Sequence, residues 1–249
     1  MRFLCAIGDF FRLYMPEPLT RRLFFALWIV FALQAFFPLV TGLLVQWPPA
    51  VAGGQVWRLL THGLLHASIG HILFNSLVLF FFGGLVEGRL GAWRTGWLIV
   101  LAVLAGGLAH QIGFWGKPVA ALGFSAACYA LMVAVLFIAP DARVWLYGLF
   151  PIPVKVLVPA MILLEVLYLV DNVSSQTSHW GHLAGAFAGL AMMLFPRAFA
   201  WLPGMRRGRR IVDIKGGRGG GGGRLSMGHP GRSENASDLY DDPHWKLDQ

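Results

Sequence analysis

Charge is scarce in this sequence. Asp, Glu, Lys and Arg make up 13% of its 249 residues, while 57% are hydrophobic. A soluble domain carries charge on about a quarter of its residues. So little charge cannot cover a globular surface in water, which excludes an ordinary soluble domain and makes lipid the solvent for most of the chain. Cysteine is almost absent too. Cys5 falls near the N-terminus and Cys128 inside an apolar run, so a disulfide framework is excluded and no metal-ligand spacing exists. Neither metal nor cofactor is expected.

What the sequence does have is long apolar runs. A bilayer core of about 30 Å takes about 20 residues of helix. Six windows are read as spans, at 24–45, 69–87, 95–113, 123–139, 154–171 and 180–196, with Pro, Gly and charged residues in the gaps. The first run is expected to remain as an anchor, because Asp9, Arg12 and Glu17 precede it and no cleavage site is evident. The reading is an all-α membrane protein, with an N-terminal segment 1–22, a membrane domain 23–196 and a tail 197–249.

Basic residues set the orientation. Arg12, Arg21 and Arg22 precede span 1, Arg89 and Arg94 separate spans 2 and 3, Arg143 and Lys155 separate spans 4 and 5, and ten Lys or Arg follow span 6. The remaining connections hold only Arg58 and Lys117. Both termini are therefore expected in the cytoplasm. The net charge of +8 comes largely from that tail, where it suits an anionic inner leaflet, and no nucleic acid partner is expected. The glycine-rich run at 216–224 and the acidic end near Asp238 read as a disordered tail.

Polar residues inside spans are costly and therefore informative. His71 and Asn75, four apart near the start of span 2, share a helical face. Ser125 opens span 4 and His182 opens span 6. Spans 2, 4 and 6 run in the same direction, so these four residues lie at one depth near the outer surface. Span 4 from Ser125 is too short to cross the bilayer core and should begin below the surface. The stretch Gly113 to Gly123, with Pro118, must dip to meet it and line an aqueous cavity.

Serine becomes a useful nucleophile when an imidazole takes its proton, and His182 is the base in reach. Gly181, Gly185 and Gly189 recur every fourth residue and let span 4 approach closely. Donors for an oxyanion come from the backbone at the start of helix 4, from His71 and from the Asn75 amide. No carboxylate offers itself as a third member, so the reading is a dyad, with Tyr129 one turn beyond Ser125 available to pack on the imidazole. Either a lone membrane serine or a glycine stripe has a bland explanation, in back-bonding or helix packing. Their coincidence with His71 and Asn75 favours catalysis.

His-Ala-Ser-Ile-Gly-His-Ile-Leu-Phe-Asn at 66–75, Gly-Phe-Ser-Ala at 123–126 and Gly-His-Leu-Ala-Gly at 181–185 resemble, in order and spacing, the signatures of the rhomboid family. Trp-Arg at 57–58 and Glu-Gly-Arg at 87–89 look like further features of it. The resemblance implies a six-transmembrane-helix rhomboid fold and a cofactor-free protease that cuts peptide bonds in or near transmembrane segments of other proteins. By position it makes Ser125 the nucleophile, His182 the base, His71 and Asn75 the oxyanion residues, and Tyr129 and Gly123 their support. Trp-Arg, Glu-Gly-Arg and His66 would be structural, His66 by tying the first loop to itself. A bacterial-type inner membrane is the expected location, and the oligomeric state stays open.

Ala126 departs from the pattern, which usually has Gly there. A helical Ala126 would be tolerated, whereas an unusual φ at that position would damage the oxyanion site. The alternative is thus an inactive rhomboid-like protein that binds transmembrane clients. A small transporter is the weakest reading, because no inverted repeat is evident. Glu165, an acid within span 5, must be protonated, paired or facing water.

Overall fold

In hydrocarbon every backbone polar group needs an internal partner, and this chain supplies it with helix. The computed structural model describes residues 13, 15–146, 149–170 and 178–205. Helices α1 (Pro18–Phe36), α2 (Pro38–Leu44) and α3 (Pro48–Ala52) each open on a proline, whose missing N–H has no partner to lose at that position. A short α4 (Arg58–Thr61) follows. Helix α5 (Ile69–Leu90) contains a π turn at Leu79–Gly83 and ends at Gly91. The φ of 82° at Gly91 suits glycine and turns the chain into α6 (Ala92–Gly113). Then come α7 (Ser125–Ile138), the antiparallel strands β1 (Arg143–Leu146) and β2 (Phe150–Pro153), α8 (Val154–Val170) and α9 (His179–Leu194).

Among the described residues, α1, α5 and α6 are long and apolar enough to cross a membrane. Helix α7, with 14 residues, is about 21 Å long, short of a bilayer core as its sequence foretold. The window at 24–45 does not form one helix. Pro38 disfavours helical backbone at Phe37, which sits at φ −130° and ψ 89°, so the helix breaks and restarts. The small β1–β2 hairpin, with Arg143 opposite Pro153 and Leu146 opposite Phe150, is a departure from the all-α expectation. Four residues per strand leave too short a pattern to read.

The glycines at 181, 185 and 189 do bring α9 against its neighbours. A Cβ on Gly185 would stand 2.2 Å from the Ala126 carbonyl oxygen, and one on Gly189 would stand 2.9 Å from the Ala130 Cα. The atoms in the way are backbone, so they cannot yield as a side chain would. Packing continues past position 196: Leu202 and Met205 are buried, and the Pro203 carbonyl accepts from the Trp97 indole at 3.0 Å. Residues 206–249, where the glycine-rich tail was expected, lie outside the described residues, as do Cys5 and most of segment 1–22.

The two structural motifs tie elements together. Glu87 accepts from the Leu19 and Thr20 backbone N–H groups at 2.9 and 2.7 Å and from Thr20 Oγ1 at 2.8 Å, so a carboxylate from α5 caps the start of α1. Arg58 donates to Gln55 Oε1 and to the Val45 carbonyl, both at 2.7 Å, and Trp57 donates to the Leu43 carbonyl at 3.2 Å. These contacts hold the segment between α1 and α5 in place.

The glycine contact yields a sharp expectation. Gly185→Ala should destabilise the fold by about 1–3 kcal/mol or more, the usual cost of overpacking. Gly42→Ala, where an added Cβ meets nothing within 4 Å, should leave the thermal unfolding midpoint in detergent close to that of the parent.

Candidate active site

Two local devices aim the site residues. Ser178 caps α9, its Oγ accepting from the Gly181 N–H at 3.3 Å while lying 3.0 Å from His110 Nδ1. That fixes the first turn of α9, where His179 and His182 stand three residues apart on one face. Ahead of α7, Gly123 takes φ 133° and donates its N–H to the His62 carbonyl at 3.0 Å. A Cβ there would lie 2.8 Å from His71 Nε2 and 3.7 Å from Ser125 Oγ. Only glycine combines that backbone angle with so close an approach.

The geometry brings the expected pair together. Ser125 Oγ lies 2.7 Å from His182 Nε2, and the Tyr129 ring stacks on the His182 imidazole at 4.8 Å between centroids and 22° between planes. His71 and Asn75 rise from the first two turns of α5, with the His71 ring against Gly123. Asn75 is 1% exposed, and among the described residues its Nδ2 amide has no hydrogen-bond partner. Buried donors are seldom left unused, so an amide in that state is a candidate for a partner that arrives with the reaction. A cavity beside Ser125 is lined by His62, His110, Ser178, Gly123 and His182.

The sequence reading placed no carboxylate beside His182, and here it is corrected. Glu165 of α8, 7% exposed, reaches His182 Nδ1 with Oε1 at 2.8 Å. The same oxygen accepts from the Tyr129 hydroxyl at 2.5 Å, and Oε2 lies 2.5 Å from His179 Nδ1. Residues 165 and 182 are separated by a connection whose residues 171–177 lie outside the described set, and no periodicity links them. The available signal was a lone acid in an apolar helix together with two imidazoles one turn apart. Glu165, His179 and His182 also present metal-ligating atoms within 4.8 Å of one another. Their N···O separations of 2.5 and 2.8 Å are those of hydrogen bonds. Two ligands about 2.0–2.1 Å from a tetrahedral zinc would stand roughly 3.3 Å apart.

Ala126, the departure from the family pattern, lies in the first turn of α7 and needs no unusual φ. Its methyl group occupies the space left by Gly106 of α6, where a built Cβ would come within 2.8 Å of the Ala126 Cβ. The extra methyl is thus taken up at the α6–α7 contact.

His66 differs from its expected role. Neither ring nitrogen makes a hydrogen bond of ordinary geometry among the described residues, and its ring packs edge-on against His71 at 5.1 Å. The backbone does the tying instead: Gln34 of α1 accepts from the His66 N–H at 2.9 Å. Burial, the largest influence on each, holds the His62 and His66 imidazoles down from 6.5 to about 4.

A half-buried serine–histidine pair at hydrogen-bond distance, in a bundle with membrane-length apolar helices, defines the class: a polytopic membrane protein with a hydrolase-like site. The rhomboid domain model matches residues 53–198, and the chain belongs to the rhomboid family. It is 33% identical over 164 residues to the rhomboid protease GluP of Bacillus subtilis (strain 168), covering 66% of this chain and 30% of that protein. It is 33% identical over 156 residues to the rhomboid protease GlpG of Salmonella newport (strain SL254), covering 59% of this chain and 51% of that one. The chain thus spans about half or less of the length of these relatives.

Two measurements follow from the packing and the buried imidazoles. Gly106→Ala should cost more stability in the parent than in an Ala126→Gly background, with a coupling of about 0.5–3 kcal/mol; additive effects would show that the two groups do not compete for space. The second concerns pH. A histidine held neutral in the fold protonates more readily in the unfolded chain, so unfolding takes up protons between pH 6.5 and about 4. Stability should fall as pH drops through that window. His66→Phe should flatten the decline in the unfolding midpoint as pH falls, because it removes one of the two imidazoles that protonate on unfolding.

Proposed function

We propose that this chain is an intramembrane serine endopeptidase that hydrolyses peptide bonds in or near the transmembrane segments of other membrane proteins. The observation that carries the reading is the 2.7 Å contact between Ser125 Oγ and His182 Nε2, set in an apolar bundle beside an unpartnered amide. Ser125 attacks the scissile carbonyl carbon while His182 Nε2 takes its proton. The Oγ–C bond forms, and negative charge gathers on the carbonyl oxygen. Asn75 Nδ2, His71 and the backbone N–H groups at the start of α7 are the donors for that oxyanion, with Gly123 leaving His71 room to approach. Collapse of the intermediate breaks the C–N bond as His182 returns the proton to the leaving amine. Water then repeats the sequence to free Ser125.

The membrane arrangement belongs to the same proposal. Six spans are assigned, with α7, α8 and α9 as the shorter ones, the basic segments in the cytoplasm and the site towards the outer face of a bacterial inner membrane. A short α7 supports this, since it starts Ser125 below the surface, where water must enter through a polar cavity. The partners are transmembrane protein substrates and the lipid bilayer; no cofactor is invoked. The client-binding alternative drew its motive from Ala126, and the Gly106 contact removes that motive.

The test uses a fluorescent fluorophosphonate and a model transmembrane substrate on the purified full chain. Labelling and cleavage should both occur in the parent and fall to background in Ser125→Ala and His182→Ala, because only an activated serine reacts readily. Unchanged cleavage in Ser125→Ala, or a folded parent that neither labels nor cuts, overturns the reading.

A further inference from the structure

We infer that Glu165 is a positioning residue for His182, so that the site works as a serine–histidine–glutamate triad. The inference deepens the protease reading and rests on Ser125 being the nucleophile.

An imidazole offers a base only at the nitrogen that lacks a proton, and a neutral histidine carries its proton on one nitrogen or the other. Left alone, His182 would divide between two tautomers, one of which points an N–H at Ser125 and cannot take its proton. Glu165 Oε1 lies 2.8 Å from Nδ1, and a carboxylate only accepts. That contact assigns the proton to Nδ1 and leaves the Nε2 lone pair facing Ser125 Oγ at 2.7 Å. When the serine proton moves to Nε2, the resulting imidazolium meets a negative partner at once. The proton then passes from Nε2 to the leaving amine, and Glu165 itself neither gains nor loses one.

The carboxylate is held as firmly as its task requires. The Tyr129 hydroxyl donates to Oε1 at 2.5 Å, and His179 Nδ1 lies 2.5 Å from Oε2. Three donors from two other helices therefore converge on one side chain from α8. Tyr129 acts twice, since its ring also stacks on the His182 imidazole it helps to orient. A purely structural acid would need partners, but it would not need one of them to be the nitrogen opposite the base. Acids within an apolar helix are costly to keep, and Glu165 is 7% exposed.

The experiment compares the full-length parent with Glu165→Gln, Glu165→Asp and Glu165→Ala in detergent. It reads kcat and KM on a model transmembrane substrate and the ¹⁵N signals of His182. We expect Glu165→Gln to lower kcat by about 10²- to 10⁴-fold, the scale on which loss of the third member acts in such triads. KM should stay nearly constant, and Glu165→Asp should recover part of the rate. The ¹⁵N signals should show a proton fixed on Nδ1 in the parent and shared between the nitrogens in Glu165→Ala. An unchanged kcat in Glu165→Gln overturns the inference, as does a loss spread over kcat, KM and folding with Asp no better than Gln. If the parent is inert towards every substrate, the protease reading fails and the ¹⁵N comparison still decides: a tautomer unaltered in Glu165→Ala removes the positioning role, and an altered one upholds it.

Discussion

The approach of α9 to α7 at Gly185 is the constraint on which the site depends. No side chain fits between the Gly185 Cα and the Ala126 carbonyl, so the two helices meet backbone to backbone. This contact lies one residue from Ser125 on α7 and three from His182 on α9. A serine hydroxyl and an imidazole can share a proton only over a few tenths of an ångström of tolerance, and the rigid contact beside them supplies it. Gly106 extends the same logic to α6 by accepting the Ala126 methyl. The stripe of small residues thus does more than allow packing in lipid, where apolar burial gives helices little reason to associate.

Around this contact the polar groups are arranged by what each can be paired with. Glu87 satisfies three donors at the start of α1, and Arg58 satisfies carbonyls between α1 and α5; both close their hydrogen bonds and need nothing further. The site residues are different. Among the described residues the Asn75 amide has no partner, and the Ser125 hydroxyl lies against an imidazole. An unpaired buried donor carries a cost that a partner arriving at the site can offset. The His66 ring, without a hydrogen bond of ordinary geometry among the described residues, shows that an open polar group does not by itself mark the site.

Much of this was legible from residue order. Scarce charge, apolar runs and costly polar residues at matched depth gave the membrane class and brought Ser125, His182, His71 and Asn75 into one neighbourhood. Glycines every fourth residue named the helix pair that had to touch. Less was legible where the determinant was local geometry or a distant partner. The break at Phe37–Pro38, the β1–β2 hairpin and the packing of the His66 ring turn on a few residues each, below the length over which a pattern can be read. Glu165 was visible as an anomaly but not as a partner, because the rotation of α8 about its own axis decides which residues its side chain meets.

By itself the sequence determined the solvent, the helical character, the family pattern and the four polar residues of the candidate site, the serine among them, since these follow from composition and spacing along single helices. Tertiary structure alone decided the rest: that the methyl group of Ala126 fits against Gly106, that the Asn75 amide is left open, and that Tyr129, His179 and His182 converge on Glu165. Hydrogen bonds are directional over about 3 Å. Spacing along a chain fixes which face of a helix a residue occupies, and only the packed bundle fixes what stands opposite.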